Sequence, residues 1–329
     1  MSEEIKLSIA IPTYNQPGPL SKTLSSIVPQ LVPGVEVLIR DDSSNDDSEK
    51  LVRPYLAKGH PIRYIRGEKI GLDAADIFLI EASLGEYVWW FGDDEMAPGG
   101  VEAVLKLVNR YPEIDFMWVN SKSKEHGALG SNWGESRFFK DGNEALEELS
   151  DLLNFISALV FKREKALPAT AGARKYFNSC VGGLYPILYI LAKGGKAYYL
   201  AEPFVIAKDR DPEKPLWYDT FQVNAVSYYK VFYEFSWGFS RHSIKRALTK
   251  TFQSVWRGIL VYRAKGITTN FGSKSSKLPI LFKYYWSFPD FWKALPFLLM
   301  PRWLVRICYK LYKKIKPQKW DRFRERYYA

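Results

Sequence analysis

The sequence predicts an α/β protein with a mostly parallel sheet covered by helices on both faces, followed by a helical C-terminal region. Its first half alternates short runs rich in Val, Ile, Tyr, Phe and Trp with segments whose apolar residues recur at helical spacing. This alternation is typical of βαβ units. Beyond residue 217 the chain becomes aromatic and basic, and its spacing is helical throughout. We therefore expect an α/β domain over residues 1–215 and a helical region over residues 216–329.

Each element of the first domain has its own signal. The β-rich runs predict seven strands: KLSIAIP (6–12), VEVLIRD (35–41), PIRYIR (61–66), EYVWWF (86–91), IDFMWVN (114–120), FISALVFKR (155–163) and KAYYLAEP (196–203). The segments with helical periodicity predict six helices: LSKTLSSIVPQL (20–31), DDSEKLVRPYLA (46–57), LDAADIFLIEAS (72–83), GGVEAVLKLVNRY (99–111), DGNEALEELSDLL (141–153) and LYPILYILAKGG (184–195).

Charge divides the chain into two parts. From residue 241 to the end there are 21 Lys/Arg against three acids, a balance of +18, so the first 240 residues carry 26 − 33 = −7. Two cysteines without a CxxC pattern give no sign of a disulfide framework or a zinc site, and fit a reducing, cytosolic compartment. We expect no secretion signal in MSEEIKLSIAIP and no spanning helix, because no apolar run approaches the roughly 20 residues that one needs.

Polar residues follow three of the predicted strands at the point where each strand ends. They are "TYNQ" (13–16), "DDSSND" (41–46) and "GDDE" (92–95). Open α/β sheets bind ligands at the carboxyl ends of their strands, so these stretches predict one site on one edge of the sheet.

The three consecutive acids of "GDDE" have two interpretations. Neighbouring carboxylates disfavour ionisation unless a cation offsets them, and Mg²⁺ or Mn²⁺ takes oxygen ligands from one or two carboxylates together with substrate phosphates. Asp93 and Asp94 then hold a metal and a diphosphate. Alternatively, two aspartates before Pro98 and Gly99 form an ordinary solvated turn.

Asp42 also has two interpretations. A carboxylate at the end of this strand accepts hydrogen bonds from a ribose hydroxyl or a base N–H in other nucleotide-binding sheets. The neighbouring Ser43, Ser44 and Asn45 are good N-caps for the next helix, so the stretch also serves helix capping. We expect both roles, with Ser44 or Asn45 capping and Asp42 binding.

Four ordered stretches resemble the motifs of the family 2 inverting glycosyltransferases with the GT-A fold: "LSIAIPTYNQPGPLSKTLSSI", "VEVLIRDDSSNDDS", "GLDAAD" and "GEYVWWFGDDEMAPGGVEAVL". Within that family, "GDDE" with "FISALVFKR" downstream is most similar to the bacterial abequosyltransferase-like group, which builds O-antigen and related surface glycans. The resemblance covers about residues 6–210. It implies a metal-dependent enzyme of the EC 2.4 class that transfers a hexosyl or deoxyhexosyl group from a nucleotide sugar.

The resemblance implies donor-binding roles for particular residues. Pro12, Thr13 and Tyr14 would line the nucleotide pocket, with Tyr14 near the base. Asp42 would hold the base or the ribose, and Asp73 of "GLDAAD" would approach the donor near its ribose or sugar.

Asp93 and Asp94 stand at the place of the family's DxD motif. The resemblance implies that Asp94 coordinates Mg²⁺ or Mn²⁺ and that Asp93 contacts the ribose or sugar. The metal would neutralise the charge that develops on the departing nucleoside diphosphate.

The general base is where the sequence departs from the family. Many relatives carry an acid, often in an "ED" pair, just before the helix that follows the FIS-like strand. This chain has no acid between Glu164 and Glu202, and an unperturbed Tyr185 is a poor base. Glu95, Asp209 and Asp211 are the substitutes.

The segment RWLVRICYKLYKKIK (302–316) predicts a basic amphipathic helix. Leu304, Ile307, Cys308, Leu311 and Ile315 recur at helical spacing, and the basic residues fall mainly on the other side. With the aromatic stretch before it, this pattern is typical of a helix in a membrane interface. We expect residues from about 270 to 329 to bind an anionic membrane surface. The alternatives are packing against the catalytic domain or a second subunit, and binding of nucleic acid, for which no recognised motif is present.

These observations predict an inverting glycosyltransferase on the cytoplasmic face of a bacterial inner membrane. We expect its acceptor to be a polyprenyl-diphosphate-linked saccharide of surface polysaccharide or glycan synthesis, and we expect no nucleic-acid partner. One alternative, motivated by the missing base, is a non-catalytic membrane-attached binding or scaffold protein that keeps the GT-A fold. A nucleotidyltransferase is a second alternative, which the lack of a Gly-rich phosphate loop disfavours.

Overall fold

The structure is a computed structural model that describes residues 4–123, 127–128, 134–208, 218–266 and 277–315. It divides into two compact units, one of Met1–Ala145 with Leu152–Lys208 and one of Leu146–Asp151 with Asp209–Ala329. The domain boundary predicted at residue 215 lies outside the described residues.

The first unit contains the sheet. In the described ranges its strands are β1 (Leu7–Thr13), β2 (Val35–Asp41), β3 (Ile62–Arg66), β4 (Tyr87–Trp90), β5 (Glu95–Met96), β6 (Ile114–Ser123), β7 (Gly127–Ala128), β8 (Arg137–Phe138), β9 (Leu159–Lys162) and β10 (Lys196–Ala207). Their order is β3-β2-β1-β4-β9-β6-β10-β5, with β7 beside β6 and β8 beside β10. Strands β1 to β4 are parallel, as predicted, whereas β9 lies antiparallel between β4 and β6.

Helices follow the strands as the periodicity predicts. The described helices are α1 (Pro17–Ile27), α2 (Asp47–Ala57), α3 (Leu72–Ala82), α4 (Gly100–Arg110), α5 (Gly142–Leu149), α6 (Arg163–Ala166), α7 (Thr170–Ala173), α8 (Leu184–Ala192), α9 (Tyr228–Glu234), α10 (Arg241–Lys265), α11 (Leu278–Tyr285), α12 (Pro289–Leu299) and α13 (Arg302–Ile315).

One predicted strand begins later than expected. The run predicted over residues 155–163 starts as a 3₁₀ turn at Ile156–Ala158, and the strand proper begins at Leu159. The turn has a physical reason, because it aims the hydroxyl of Ser157 at the backbone N–H of Gly92, which donates to it at 2.8 Å.

Strand β4 is the most buried element of the sheet. Tyr87, Val88, Trp89 and Trp90 are all fully buried. The Tyr87 hydroxyl donates to the carbonyl of Ile114 at 2.9 Å, so its polar atom is satisfied although its ring lies in the core. The strand thus pairs with β1 and β9 through its backbone and with the start of β6 through a side chain.

A buried carboxylate fixes the amino ends of the strands. Glu36, which is 3% exposed, accepts hydrogen bonds from Ser8 Oγ at 2.6 Å, from the backbone N–H of Leu84 at 2.8 Å and from Arg63 Nη1 at 3.1 Å. Ser8 Oγ in turn accepts the backbone N–H of Gly85 at 2.8 Å. The chain entering β4 is therefore tied to β1 and β2.

The second unit is helical. Its longest described helix is α10. Ser240 caps its N-terminus, where the Ser240 Oγ accepts the backbone N–H of Ser243 at 3.0 Å, and Gly266 caps its C-terminus with a left-handed φ of 81°. The ring of Tyr285 stacks on Phe252, with centroids 4.7 Å apart, and its hydroxyl donates to the carbonyl of Ala225 at 3.0 Å. Within the described residues, no helix combines the length and the apolarity needed to cross a membrane.

Replacing Gly85 by alanine is expected to destabilise the first unit by about 1–3 kcal/mol, the usual cost of overpacking. An added Cβ would lie 2.5 Å from the backbone nitrogen of Ser8, which cannot move without breaking the sheet. Chemical denaturation measures the loss. Gly18→Ala is the matched control, because no atom lies within 4 Å of a Cβ there. Equal unfolding free energies for the two variants would show that the close approach is not a real constraint.

Candidate active site

The structure brings the predicted polar stretches to one edge of the sheet. Strands β2, β1 and β4 are parallel neighbours, so "DDSSND", "TYNQ" and "GDDE" leave the sheet side by side. Asn15 joins the first two stretches: its backbone N–H donates to Ser43 Oγ at 2.8 Å, and its side-chain oxygen accepts the Ser44 backbone N–H at 3.0 Å. This link requires a left-handed φ of 51° at Asn15, a conformation that asparagine tolerates better than most residues.

Asp42 ties the end of β2 to the loop before α3. Its Oδ1 accepts Arg40 Nε at 2.8 Å, and its Oδ2 accepts the backbone N–H groups of Ile70 and Gly71 at 2.9 and 3.2 Å. The carboxylate is 5% exposed. It thus positions the edge of the site, and its predicted contact with the base or ribose stays a prediction.

The capping predicted for Ser44 or Asn45 takes a different form. Neither residue is the N-cap of α2, whose N-cap position is Asp46 without a side-chain capping bond. Asn45 Oδ1 instead accepts the backbone N–H of Asp47 at 3.4 Å, and Ser44 is engaged by Asn15.

The three residues predicted to line the nucleotide pocket lie at the end of β1 and just beyond it. Pro12 and Thr13 are half-buried in the strand, opposite Arg40 and Asp41 of β2. The ring of Tyr14 is exposed, and Lys69 Nζ lies 4.1 Å from its centroid. An exposed aromatic face with a cation beside it suits stacking against a base and contact with a phosphate.

Asp94 is held in place by the protein. Its Oδ2 accepts the Ser157 hydroxyl at 2.5 Å, its Oδ1 accepts the backbone N–H of Lys208 at 2.8 Å, and its own carbonyl accepts Thr23 Oγ1 at 2.7 Å. Burial raises the pKa of Asp94 to about 6, although the bonds from Ser157 and Lys208 favour the ionised form. The side chain joins β4, the start of β9 and the end of β10.

Asp93, the preceding residue, has the opposite character. Its side chain is 47% exposed and its Oδ2 accepts Lys208 Nζ at 2.6 Å. The same ammonium lies 3.5 Å from Gln16 Oε1. Lys208 therefore supplies the positive charge beside the acidic pair and links it to the loop after β1. Sequence reasoning missed Lys208, because this residue at the end of the last strand belongs to no recognisable sequence motif.

The acidic pair fits a hard divalent cation. No group of three or more His, Cys, Asp or Glu suited to a metal occurs among the described residues. Mg²⁺ is usually held by one or two carboxylates together with substrate phosphates and water. Asp93 offers an accessible oxygen and Asp94 a fixed one, so both fit the donor set.

Asp73 lies under a loop. Its Oδ2 accepts the backbone N–H groups of Ser179 and Cys180, and its Oδ1 accepts that of Gly182, each at 2.9 Å. Burial raises the pKa of Asp73, and the backbone donors oppose this rise. Asp73 therefore anchors the loop before α8, and its predicted approach to the donor stays a prediction.

Asp76, which sequence reasoning also missed, lies against the loop before α8. Gly182 and Gly183 of this loop approach α3 closely. A Cβ added at Gly182 would lie 2.7 Å from the Cβ of Asp73, and one at Gly183 would lie 2.4 Å from Asp76 Oδ2. Asp73 and Asp76 recur at i, i+3 on α3 and lie against this loop. That spacing is the signal that could have identified Asp76.

Burial raises the pKa of Asp76 well above its ordinary value, with Asp73 adding to the rise. Its Oδ1 makes no hydrogen bond to the described residues. Ionising a buried carboxyl with an unpaired oxygen is costly, which is why the pKa rises.

Of the three residues predicted as substitute bases, the structure describes one. Glu95 lies in β5, where it pairs with Ile206 of β10 and is half-buried. Asp209 and Asp211 lie outside the described residues. Tyr185 packs against Tyr176, with ring centroids 5.7 Å apart.

Residues 8–166 match the sequence family described as Glycosyl transferase family 2. Glycosyltransferase GlyA of Streptococcus pneumoniae serotype 4 is 31% identical over 107 residues, which cover 32% of this chain and 15% of that protein. The GalNAc(5)-diNAcBac-PP-undecaprenol beta-1,3-glucosyltransferase of Campylobacter jejuni is 28% identical over 205 residues, 61% of this chain and 64% of that protein. The chain thus covers less than two thirds of either relative.

Comparison with solved structures shows the fold. S. aureus TarS 1-349 in complex with UDP-GlcNAc superposes with a TM-score of 0.62 at 15% identity, covering 88% of this chain and 81% of that chain. The same protein without that ligand gives 0.60 at 16% identity over 89% and 81% of the two chains. The predicted GT-A-like α/β fold and the predicted resemblance to family 2 are confirmed. The narrower resemblance to the abequosyltransferase-like group stays a prediction.

Replacing Asp76 by asparagine is expected to stabilise the protein at neutral pH. The pKa of Asp76 is higher in the folded protein than in the unfolded chain. The contribution of Asp76 to the free energy of unfolding is therefore fully present below the unfolded pKa and is lost as the pH rises through the folded pKa. Asparagine keeps the shape without ionising. The gain should therefore grow as the pH is raised from about 4, near the unfolded pKa. Denaturation curves over this pH series measure it.

Asp73→Asn is the matched control on the same helix. The amide keeps one oxygen but places its NH₂ against at least one of these backbone N–H donors, which is left unpaired, so this variant should lose about 1–3 kcal/mol. A loss of stability in Asp76→Asn at pH 8 would contradict the assignment of Asp76 as a buried acid with a raised pKa.

Proposed function

From the premise that residues 8–166 belong to glycosyltransferase family 2, we propose that this protein transfers a sugar from a nucleotide-sugar donor to a saccharide acceptor with inversion. The observation that carries the proposal is the acidic pair at the end of β4. Asp93 is half-exposed and faces Lys208, while Asp94 is fixed by Ser157. This arrangement lies on the edge of the sheet where α/β folds bind nucleotides.

Five residues on this edge have roles in the proposal. The exposed ring of Tyr14 stacks against the base, and Lys69 beside it is close enough to reach a phosphate. Asp93 and Asp94 would hold Mg²⁺ or Mn²⁺, which when bound stabilises the negative charge of the leaving diphosphate. Ser157 keeps the Asp94 carboxylate in one orientation, so no reorganisation is needed when the donor binds.

The acceptor in this proposal is a polyprenyl-diphosphate-linked saccharide. The support is the Campylobacter jejuni relative, whose name specifies a PP-undecaprenol acceptor, and it aligns with 61% of this chain. The UDP-GlcNAc complex of the TarS neighbour supports a nucleotide-sugar donor in general. The transferred group is proposed to be hexosyl or deoxyhexosyl, and the product a bacterial surface glycan such as O-antigen.

The alternative of a non-catalytic binding or scaffold protein has one observation in its favour. The chain has no acid between Glu164 and Glu202, and the two acids that lie against the loop before α8, Asp73 and Asp76, are both held away from solvent. A protein without a base would still bind donor but would neither transfer nor hydrolyse it. Turnover of a bound donor therefore decides between the two functions.

The proposal is tested first by a thermal-shift screen against UDP, GDP, CDP and dTDP, each with and without Mn²⁺. A nucleotide at 100 times its dissociation constant stabilises the folded protein by about 2.7 kcal/mol, so one nucleotide should raise the melting temperature, and only with the metal. Hydrolysis of the matching nucleotide sugar then distinguishes an enzyme from a scaffold. No shift from any of the four nucleotides would refute donor binding.

Asp94→Asn is expected to abolish the Mn²⁺-dependent part of this shift while leaving the ligand-free protein folded, because a metal ligand must be an ionised carboxylate. Glu113→Gln is the matched control: it also removes one carboxylate, but from the exposed turn before β6, at the opposite edge of the sheet. Unchanged nucleotide affinity in Asp94→Asn would remove the metal-site assignment.

Lys208→Met is expected to strengthen Mn²⁺ binding to the donor-free protein about fivefold, corresponding to roughly 1 kcal/mol for a solvent-exposed pair. The ammonium lies 2.6 Å from Asp93 and competes with the metal for that carboxylate. Isothermal titration with Mn²⁺ measures the change. Lys193→Met, which removes an exposed lysine near the start of β10, is the control. Equal or weaker metal binding in Lys208→Met would show that Asp93 is not a metal ligand.

A further inference from the structure

The last described helix of the second unit, α13, is held in one rotation by its contacts with α10. Arg302 Nε and Arg306 Nε donate to the carbonyls of Arg263 and Ala264 at the C-terminal end of α10, each at 3.2 Å. These carbonyls have no partners within their own helix and carry the negative end of its dipole, so arginines suit them. Val305, on the same side of α13, is buried.

The turn before α13 is fixed by the same end of α10. Arg263 Nη1 donates to the carbonyl of Leu298 at 2.7 Å, and its Nη2 donates to that of Met300 at 2.6 Å. Gly266 leaves room for this packing, since a Cβ there would lie 2.3 Å from Arg302 Nη2. Both α12 and α13 are thus held against α10 by named contacts.

This rotation turns an apolar stripe outward. Trp303, Ile307 and Leu311 recur every four residues and are 63%, 46% and 53% exposed. We call these three residues the outer stripe. Lys310 and Lys314 flank the stripe on the same helix. Arg302 and Arg306 are also exposed, and their guanidinium groups bind the end of α10.

A second exposed apolar surface lies on α11 and α12. Phe282, Trp286 and Trp292 form it, and we call it the aromatic cluster. The rings of Phe282 and Trp292 are in edge contact, with centroids 6.3 Å apart, and Trp292 Nε1 donates to the carbonyl of Trp286 at 2.7 Å. Because that N–H is already bonded within the protein, the indole can enter an apolar layer without leaving a donor unpaired.

Charge identifies the partner. Residues 277–315 contain eight Lys/Arg and one acid, a balance of +7. A surface with this excess repels a second copy of itself and attracts an anionic one. Aromatic side chains with lysines beside them suit the headgroup region of a bilayer, where the rings meet the acyl boundary and the ammonium groups meet lipid phosphates.

We infer that the outer stripe and the aromatic cluster form a preformed surface that binds anionic lipid bilayers. The apolar residues insert and the lysines select for negative headgroups. The surface is built without a spanning helix and without refolding, because α12 and α13 are already fixed to α10. The inference is independent of the sugar-transfer reaction, since it uses no residue of the acidic edge.

The test is flotation of the full-length protein with vesicles of phosphatidylcholine alone or with 30% phosphatidylglycerol added. Wild type should float with the anionic vesicles, and less so as salt is raised, because the lysine contribution is screened. Trp303→Gln with Ile307→Gln should lower the partition coefficient at least about tenfold through lost apolar burial. Lys310→Gln with Lys314→Gln should lower it about fivefold for each lysine on anionic vesicles only.

Two controls make the result specific. Val32→Gln with Leu84→Gln removes two exposed apolar side chains from the first unit and should float like wild type. Asp94→Asn should also float like wild type, so failure of the transfer proposal and failure of this inference are distinguishable. The inference is overturned if wild type does not bind anionic vesicles at low salt, or if the Trp303/Ile307 variant binds as well as wild type. If wild type does not bind vesicles but forms a dimer, and the Trp303/Ile307 variant is a monomer, the surface is a contact between two copies of the chain.

Discussion

The arrangement of the first unit depends on strand β4 being buried on both faces between β1 and β9. Its tyrosine and tryptophans fill the core, and the Trp89 N–H donates to the carbonyl of Ser157 at 2.8 Å. An ionised group within such a strand would cost several kcal/mol unless it were paired. The first carboxylates can therefore occur only where the strand leaves the sheet, after Gly92. The acidic pair stands at this edge because the packing of the core leaves no other place for it.

Two adjacent aspartates then acquire different properties from their surroundings alone. Asp94 points back towards the protein, where Ser157 and the backbone of Lys208 hold it and burial raises its pKa. Asp93 points outward and is paired only with a solvent-exposed ammonium. Exposed pairs of this kind contribute little to stability, so exchanging Lys208 for a metal and a diphosphate costs the fold little. The site thus combines one oxygen that is fixed with one that is available.

The sequence was sufficient to predict elements and turns within short segments, but not the contacts between residues that are far apart in the chain. Strands β1 to β4 and the polar stretches after them follow from periodicity and turn chemistry over a few residues. Ser157 bonds Asp94 across 63 positions, and Lys208 meets Asp93 across 115, so neither contact has a local signal. The strand predicted from residue 155 failed at its first residues for this reason: a tertiary hydrogen bond overrode the β propensity of the run. Asp76 escaped notice because its role depends on how closely Gly183 approaches it.

For helix α13 the sequence predicts that the helix is amphipathic, but it does not predict how the helix is oriented. The sequence predicts an apolar and a basic side, but it does not say which side the protein keeps for itself. Packing of the apolar side would be the ordinary outcome for a surface helix. Here the guanidinium groups of Arg302 and Arg306 bind the end of α10, and this contact leaves Ile307 and Leu311 in solvent. Two arginines bound to the end of α10 thus fix the rotation in which the apolar stripe faces outward, which is the orientation a lipid-binding helix requires.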